Sequence, residues 1–455
     1  MSTTRTKRKN RKKTDNLNRI ITAKFGGTSL ADASQIKKVA AIIKSNPERR
    51  YVVASAPGKR YSDDIKITDM LYTCHKEGSE GKDFSGTLRK IAERYTEIIR
   101  ELGINFDIES EIRAIEKNIL SGVSADYPAS RGEYINSKII ARFLGWEFVD
   151  ASEIIFFKDN GTLNESKTFT AAGEMLLALD HAVIPGFYGS LPNGNIKTFS
   201  RGGSDVTGSI IARSVNADLY ENWTDVSGML SADPRIVKSP KVIENITYTE
   251  LRELSYMGAS VLHEDAVFPV RKAGIPINIR NTNSPDDNGT MIAASLPKDI
   301  KRRAVTGIAG KKGFTSIRVE KSMMNGETGF GAKLLYIFSD NGVPFEHCPT
   351  GIDTISVVVN SAMFESKREA ILRCIKNDLN PDYITIEKNL SAIAVVGEGM
   401  VSTKGTAAKL FRALADAGVN IRMIDQGSDE LNIIVGVDDG DYEKSIRALY
   451  DAVID

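Results

Sequence analysis

The chain has 455 residues, a length that predicts about three domains. Its hydrophobic fraction of 41% is sufficient for sizeable cores, and its formal net charge is +1. No apolar run approaches the ~18 residues that cross a bilayer, so the composition excludes a membrane-spanning protein and we expect no membrane partner. The three cysteines and four histidines are scattered without the spacing of a metal site or a disulfide framework, which favours a reduced, cytoplasmic compartment.

The positive charge is concentrated at the N-terminus. Residues 1–19 contain eight Lys or Arg and one Asp, whereas the other residues contain 52 basic and 58 acidic side chains. This segment has no apolar stretch of the kind found in a secretory signal, and its composition predicts a disordered tail. Contact with nucleic acid or an anionic surface is the alternative. The acidic body gives that alternative no support, and we expect no nucleic-acid partner.

The first predicted element is a strand over residues 20–23 that runs into Lys24-Phe25-Gly26-Gly27-Thr28-Ser29, with a helical pattern from about Asp32 to Ser45. Two glycines let a bulky anion approach the backbone, and the N–H groups and dipole of the following helix attract it. The Lys24 ammonium at the strand end can reach the same place. This stretch therefore predicts a phosphate site without a Walker sequence, with an ordinary strand-to-helix turn as the alternative.

Strand-like and helical segments then alternate as far as residue 297. The pattern predicts strands over 51–55, 182–187, 217–223 and 276–280, with helices between them, for example over 131–144. Such alternation favours an α/β sandwich with a mainly parallel central sheet. Sheets of this kind bind their ligands at the carboxyl ends of the strands, which is where Lys24 falls.

Three further polar clusters fall at predicted strand ends or helix starts. Residues 198–208 contain Arg201-Gly202-Gly203-Ser204-Asp205 and lead into an apolar helix, which predicts a second anion-friendly helix start. Residues 130–133 (Ser-Arg-Gly-Glu) are placed at the start of a helix. Residues 223–235 read as a strand end followed by a polar loop. For Asp205 and Glu133, a simple role in stabilising a helix N-terminus is the alternative.

Beyond a boundary near residues 297–303, the chain repeats itself. Residues 329–343 align with 405–419 at an offset of 76, with seven identities that include a shared Gly-Val exit. Each copy reads as a helix, Gly-Val, a strand, a turn and a second strand, the latter over 355–359 and 431–437. The pattern indicates a small α+β unit present twice.

Jointly these segments resemble the aspartate kinases of the amino-acid kinase family, and the repeat resembles the paired ACT domains that regulate them. The matching segments are 24–29, 130–133, 201–205, 224–226, 232–235 and 257–263. The resemblance implies an αβα amino-acid kinase sandwich with a mainly parallel sheet, followed by two ferredoxin-like α+β ACT domains. The implied limits are a tail over 1–19, a catalytic domain over 20–299, a first ACT domain over 314–382, and a second over 304–313 plus 388–455.

The resemblance implies transfer of the γ-phosphoryl group of ATP, with Mg²⁺, to the β-carboxylate of L-aspartate. This reaction gives 4-phospho-L-aspartate, the first step of lysine, threonine and methionine biosynthesis, under feedback by amino acids, with lysine or threonine as effectors. A homo-oligomer, dimeric or tetrameric, would form through the ACT domains. The nucleophile, with a pKa near ~3.9, is already ionised and needs no general base. An acetylglutamate or glutamate kinase and a non-catalytic amino-acid sensor are the alternatives.

The resemblance also implies residue roles, with Lys24 contacting the transferring phosphoryl group and Asp205 orienting catalytic lysines. The implied phosphate contacts are Gly26, Gly27, Thr28, Ser29, Gly202 and Gly203. The implied nucleotide contacts are Lys24, Thr224, Asp225, Asp233, Arg235 and Ser260. The implied aspartate contacts are Ser55, Thr68, Glu133 for the amino group, Phe187, and Arg201 for the α-carboxylate. No protein metal site is implied.

The chain departs from the family pattern near the nucleotide. Many relatives have a lysine where Ser260 stands, so either Arg235 or a nearby basic residue such as Lys272 supplies the missing charge, or nucleotide binding differs. Many also have an aromatic residue near the adenine where Leu230 stands. In the regulatory half, the implied effector residues are Met324, Gly329, Phe330 and Glu346. Glu346 would pair with the effector's ammonium group, and an exposed strand carboxylate is the alternative.

Overall fold

A computed structural model describes residues 19–200, 202–259, 262, 264–297, 299–300 and 302–454, without the side chains of residues 264 and 265. The described residues form two compact units. The first contains those up to Met229 with Glu244–Tyr248 and Val261–Leu296, and the second contains those of Leu230–Ile243, Thr249–Ser260 and Pro297–Asp455. Throughout the described ranges, no helix combines the length and apolar character needed to cross a membrane. The predicted tail lies, except for residue 19, outside the described residues.

The helices and strands follow one another in the α/β alternation that the sequence predicts. The helices are α1 Ala33–Lys44, α2 Ile67–Ser79, α3 Ser85–Leu102, α4 Ile108–Leu120, α5 Asp126–Leu144, α6 Ala151–Ile154, α7 Glu165–Leu177, α8 Gly203–Ser214, α9 Tyr248–Tyr256, α10 Glu264–Ala273, α11 Phe330–Asp340, α12 Ser361–Leu379, α13 Thr406–Asp416 and α14 Tyr442–Val453. The strands are β1 Ile21–Phe25, β2 Arg49–Ala54, β3 Glu147–Phe148, β4 Ala182–Pro185, β5 Tyr188–Ser190, β6 Ile196–Thr198, β7 Leu219–Thr224, β8 Met229–Leu230, β9 Val242–Ile243, β10 Asn245–Thr247, β11 Ile277–Asn281, β12 Thr290–Ala293, β13 Gly307–Glu320, β14 Phe345–His347, β15 Thr354–Asn360, β16 Tyr383–Val396, β17 Met423–Asp425 and β18 Asn432–Asp438.

The first unit is built on an eight-stranded sheet in the order β10-β12-β11-β7-β1-β2-β4-β3. Its strand pairs are parallel except for β11 with β12, which confirms the mainly parallel sheet. β1 lies between β2 and β7, with Lys24 opposite Val53 on one side and Asn222 on the other. The carboxyl ends of these three central strands therefore meet at one edge, where a ligand site is expected.

Alternate residues of β1 point to opposite faces of this sheet. Ala23 and Phe25 join a hydrophobic core with helices α1 to α5, and Phe25 stacks on Trp223 with the ring centroids 5.8 Å apart. Each large apolar side chain buried in this way stabilises the fold by about 1.5–3 kcal/mol. Lys24 points to the other face, against which α8 packs. Helices on both faces confirm the αβα sandwich.

Helix α5 begins earlier than the sequence predicts. Its first residue is Asp126, so the segment 130–133 lies inside the helix and its prediction as a helix start is wrong. Pro128 is compatible with the helix because the backbone N–H groups of a first turn have no intrahelical partner to lose. Glu133 is consequently a buried residue in the middle of a helix, and a role in stabilising the helix N-terminus is ruled out.

The second unit contains a six-stranded antiparallel sheet in the order β14-β15-β13-β16-β18-β17. The repeat predicted from the sequence is confirmed, because α11 and α13 have the same length and lie at the predicted offset of 76 residues. Both begin after a glycine with φ of +85°, Gly329 and Gly405, which an L side chain rarely adopts. Each copy has its own hydrophobic core, one with α11 and α12 and the other with α13 and α14.

Candidate active site

An ion pair between Lys24 and Asp205 lies at the carboxyl end of the central strands. Lys24 Nζ is 2.6 Å from Asp205 Oδ1, and the Asn222 amide donates a hydrogen bond of 2.8 Å to the same oxygen. The lysine side chain is 9% exposed and the aspartate side chain 19%. The ammonium is thus fixed by an acid from α8, which is held in turn by an amide from β7. The sequence analysis missed Asn222, although a polar residue inside a buried strand was a usable signal.

The N-terminus of α8 opens directly after Gly202, as the sequence predicts. Gly202 has φ of +59°, and no side chain caps the helix. A Cβ on Gly203 would lie 2.4 Å from Phe187 Cδ2, so a side chain here would push the helix away from the end of β4. The Asp205 N–H donates to the Gly202 carbonyl at 2.9 Å, and the positive end of the helix dipole lies beside Asp205, where it favours an anion.

The first glycine turn differs from its prediction. Gly27 is followed by a short 3₁₀ turn, Thr28–Leu30, and α1 begins only at Ala33, where the Asp32 side chain accepts a hydrogen bond of 2.9 Å from the Gln35 N–H. The Asp32 carboxylate thus occupies one N–H of the first turn of α1, and the interpretation of this helix start as an anion site stays a prediction. A Cβ on Gly27 would lie 3.0 Å from the Ala56 carbonyl oxygen, so packing disfavours a side chain at this position.

The other predicted phosphate contacts in this turn differ in their accessibility. The Gly26 N–H donates a hydrogen bond of 3.0 Å to the Trp223 carbonyl. Thr28 is exposed, whereas Ser29 is buried and its hydroxyl hydrogen-bonds to Thr282 Oγ1 at 2.7 Å. The phosphate contacts assigned to this turn stay predictions, and the structure gives the Ser29 hydroxyl a partner inside the protein.

Glu133 combines deep burial with an unused acceptor. Its Oε2 finds no hydrogen-bond partner among the residues that the structure describes, and burial raises its pKa to about 8, against the lowering effects of the Ala56 backbone N–H and the Arg131 charge. One turn further along α5, the Asn136 side-chain amide donates to the Ser55 carbonyl at 2.7 Å, and its buried Oδ1 has no partner within the described part of the chain. Two unpaired acceptor oxygens on one helix suit a ligand that brings hydrogen-bond donors.

Arg131 occupies an aromatic cage next to Glu133. Its guanidinium carbon lies 4.2 Å from the ring centroid of Tyr134, 4.8 Å from that of Tyr127 and 5.3 Å from that of Tyr188. Cation–π attraction of this kind stabilises a buried cation without a carboxylate partner. The sequence analysis gave Arg131 no role, although the tyrosines four residues before it and three after it were visible as one helical stripe.

The remaining predicted aspartate contacts lie after β2, after β4 and at the start of α2. Phe187 has φ of +80°, a rare conformation for a residue with a side chain, and its N–H donates to Thr207 Oγ1 at 3.0 Å. Ser55 is buried directly after β2, and Thr68 is half-buried at the second position of α2. Arg201 lies outside the described residues.

The predicted nucleotide contacts divide between the two units. Thr224, at the end of β7, donates a hydrogen bond of 3.3 Å to the exposed Asp225. In the second unit, Arg235 forms an ion pair of 2.7 Å with Asp233, and its side chain is 88% exposed. Ser260 lies outside the described residues. Lys272, suggested above as a source of the missing charge, belongs to the first unit and forms an ion pair of 3.3 Å with Glu165 of the same unit.

In the second unit, the predicted effector residues lie around the start of α11. Met324 and Phe330 are buried in the core of the first repeat copy, and Gly329 is the residue before the helix. The Glu346 carboxylate of β14 accepts a hydrogen bond from the Tyr256 hydroxyl. Packing thus accounts for the side chains of Met324 and Phe330. The effector role of all four residues stays a prediction.

Over residues 19–281 the chain matches the amino acid kinase family, and over residues 393–453 it matches the ACT domain. It is 39% identical over 443 residues to aspartokinase 3 of Bacillus subtilis (strain 168), which covers 94% of this chain and 97% of that protein. It is similar to the crystal structure of Clostridium acetobutylicum aspartate kinase, an allosteric enzyme, with a TM-score of 0.87 and 53% identity over 96% of this chain and 100% of that one. E. coli aspartokinase III in complex with aspartate and ADP has a similar fold, with a TM-score of 0.71 and 23% identity over 96% of this chain and 100% of that one.

Proposed function

The chain belongs to the aspartokinases of the amino acid kinase family, and we propose that it transfers the γ-phosphoryl group of ATP to the β-carboxylate of L-aspartate. A carboxylate oxygen attacks the γ-phosphorus, the bond to the β-phosphate oxygen breaks, and the products are 4-phospho-L-aspartate and ADP. This acyl phosphate is the first intermediate on the way to lysine, threonine and methionine.

The observation that carries this proposal is the ion pair of the buried Lys24 with the half-buried Asp205 at the start of α8. Transfer between two anions needs positive charge and fixed geometry more than it needs a base, because the nucleophile is already ionised at neutral pH. Lys24 supplies the charge for the transferring phosphoryl group. Asp205 and Asn222 hold its ammonium in place, so that little reorganisation is needed during the reaction.

The phosphate chain of ATP binds between the two glycine turns of the first unit. The N–H groups at Gly202 and Gly203 and the α8 dipole favour it at one side. Gly26, Gly27 and the exposed Thr28 provide contacts from the other. Thr224 and Asp225 follow β7 and contact the nucleoside, while the contacts of Asp233, Arg235 and Ser260 rest on the family resemblance.

Mg²⁺ fits this site as a partner of the nucleotide rather than of a protein cage. Among the residues that the structure describes, no three His, Cys, Asp or Glu side chains come together as a metal cluster. Mg²⁺ in kinases is commonly bound through substrate phosphates and one or two carboxylates. Asp205 is the carboxylate in contact with Lys24 and would be its protein ligand. When bound, the metal neutralises charge on the phosphate oxygens.

L-Aspartate is recognised through its opposite charges. The unpaired Glu133 Oε2 accepts from the substrate's ammonium group, with the Asn136 Oδ1 one turn away as a second acceptor. Arg201 holds the α-carboxylate, as the family resemblance implies. Ser55, Thr68 and Phe187 line the pocket at the ends of β2 and β4.

The affinity for aspartate should depend on pH through Glu133. Its pKa of about 8 lies above its ordinary value of 4.5, so the free enzyme holds a proton there that ammonium binding must displace. Below about pH 8 we expect the KM for aspartate to rise by up to about tenfold per pH unit, with one proton released on binding. Initial rates at several pH values and titration calorimetry in two buffers measure both effects. A KM that stays flat between about pH 6 and pH 8 would contradict this role.

The proposed function is tested by ATP consumption with different acceptors. We expect turnover with L-aspartate and little with glutamate or acetylglutamate, because the family resemblance and the Glu133 site favour a free amino group. Preference for acetylglutamate or glutamate would replace the proposal with another amino-acid kinase. Absence of turnover with all three would favour a non-catalytic sensor, against which the intact Lys24–Asp205 pair argues.

We further propose that the second unit binds an amino-acid effector, lysine or threonine, and forms a homodimer or homotetramer through its two ACT domains. Large apolar side chains on this unit are exposed, which supports an association surface: Tyr336 at 69%, Tyr383 at 70% and Ile352 at 71%. Aspartate-dependent rates with lysine, threonine and methionine, singly and in pairs, test the regulation. Light scattering of the purified chain tests the assembly.

A further inference from the structure

A buried arginine on α3, Arg94, connects two segments around the first glycine turn. Its side chain is 4% exposed. One terminal nitrogen, Nη2, donates to the carbonyl of Ala31 at 3.1 Å and to the carbonyl of Gly58. The other, Nη1, donates to the Ile65 carbonyl at 3.0 Å and lies 3.5 Å from Asp64 Oδ2.

These acceptors belong to two segments that flank the proposed site. Ala31 follows the 3₁₀ turn that begins at Thr28, next to Gly26 and Gly27. Gly58 and Ile65 belong to the loop that joins the end of β2, at Ser55, to the start of α2, next to Thr68. A single guanidinium therefore ties the proposed phosphate turn to the loop whose two ends carry proposed aspartate contacts.

The two segments also contact each other directly. The Gly58 N–H donates to the Gly27 carbonyl at 2.8 Å, and a Cβ on Gly58 would lie 2.5 Å from the Gly27 carbonyl carbon. The Leu30 N–H donates to the same carbonyl at 3.0 Å. The Gly27 carbonyl is thus held by the loop and by its own turn, and Arg94 holds the loop through the Gly58 and Ile65 carbonyls.

Asp64 and Arg60 lock the far end of the same loop. Arg60 binds the Asp64 carboxylate through Nε at 2.9 Å and Nη2 at 3.1 Å, and its guanidinium holds the pKa of Asp64 well below its usual range. Asp64 is buried and remains negative beside Arg94. Only an arginine offers a planar fork that can serve acceptors in several directions at once, so lysine cannot replace it without loss.

We propose that Arg94 is a positioning residue that holds the phosphate turn and the loop of residues 56–66 in one fixed arrangement, so that ATP and aspartate meet in reacting geometry. This inference rests on the proposed function and extends it to a residue that touches neither substrate. Loosening the arrangement should weaken binding of both substrates together, because one group fixes both segments. A defect in a single substrate contact would instead raise one KM alone.

The test compares Arg94→Met with Arg89→Met, a matched control on the exposed face of the same helix. Hydrogen exchange followed by mass spectrometry should show faster exchange, by about tenfold or more, in residues 26–31 and 56–66 of Arg94→Met, with the core of the sheet unchanged. The KM values for ATP and aspartate should both rise by about tenfold. Arg89→Met should match the wild type in both measurements.

Unchanged exchange in either segment of Arg94→Met overturns the proposal, and so do faster exchange and unchanged KM values. If hydrogen exchange shows that Arg94→Met is unfolded throughout, the proposal is tested with Gly58→Ala instead. That variant keeps Arg94 and pushes the loop away from Gly27. This variant should raise both KM values, and wild-type kinetics in it would refute the positioning role. Hydrogen exchange does not require catalysis, so absent wild-type turnover would count against the proposed function and not against the Arg94 connection.

Discussion

Replacing Lys24 with methionine is expected to lower kcat by at least ~10²-fold, the scale of losing one preorganised electrostatic stabiliser. The side chain keeps its length, but the charge that faces the transferring phosphoryl group is gone. In addition, Asp205 loses its cationic partner at 2.6 Å and is left as an extra negative charge near the phosphates. Steady-state rates with saturating ATP and aspartate measure this loss.

Two companion variants make the Lys24 result specific. Lys37→Met removes an exposed lysine on the neighbouring helix α1 and should leave kcat unchanged. The double variant Lys24→Met/Asp205→Asn should lose about as much activity as Lys24→Met alone, because residues that act as a unit are not additive. A Lys24→Met enzyme within about twofold of the wild type would remove Lys24 from the mechanism.

Replacing Glu133 with glutamine is expected to raise the KM for aspartate by at least ~30-fold and to leave the KM for ATP nearly unchanged. The substitution keeps the shape of the side chain and removes the carboxylate that pairs with a buried ammonium, a loss of about 2–5 kcal/mol in comparable pairs. Initial rates with each substrate varied in turn separate the two KM values. Glu101→Gln, at an exposed position on α3, is the matched control.

The same substitution should stabilise the folded chain at alkaline pH. Because the pKa of Glu133 is about 8 when folded and near 4.5 when unfolded, the folded state binds the extra proton between these values. Wild-type stability from this group therefore falls as the pH rises from about 4.5 to about 8, and Glu133→Gln lacks that fall. Thermal unfolding above pH 8 should show a higher Tm for the variant. A variant that loses both aspartate affinity and stability would indicate a purely structural role.

The sandwich, its parallel sheet and the duplicated regulatory element were predictable from the sequence. Strands and helices alternate in a regular pattern, and the regulatory element occurs twice. Strands and helices of the first unit alternate visibly, and the Gly-Val exits of α11 and α13 recur at a fixed offset. The Gly202-Gly203 turn was also predictable, since a helix opens directly after it. These features depend on residues close together in the chain.

The features that could not be predicted from the sequence depend on contacts between residues that are distant in the chain. Gly27 is a glycine because the loop at Ala56 packs on it, and no local pattern shows that contact. Glu221 and Asn222 are adjacent polar residues in one buried strand, yet they face opposite sides of the sheet. Glu221 binds Arg49 at 2.7 Å, whereas Asn222 binds Asp205. Only the register of β7 against β1 determines that Glu221 faces the core and that Asn222 faces the candidate site.

The most direct test of the proposed chemistry is to trap its product. The purified chain is incubated with ATP, Mg²⁺, L-aspartate and hydroxylamine, which converts an acyl phosphate into a hydroxamate, and the product is identified by mass spectrometry. We predict aspartate β-hydroxamate in amounts that match the ADP formed, with none in the absence of aspartate. ADP formation without the hydroxamate, or a hydroxamate formed preferentially from glutamate or acetylglutamate, would contradict transfer to the β-carboxylate of aspartate.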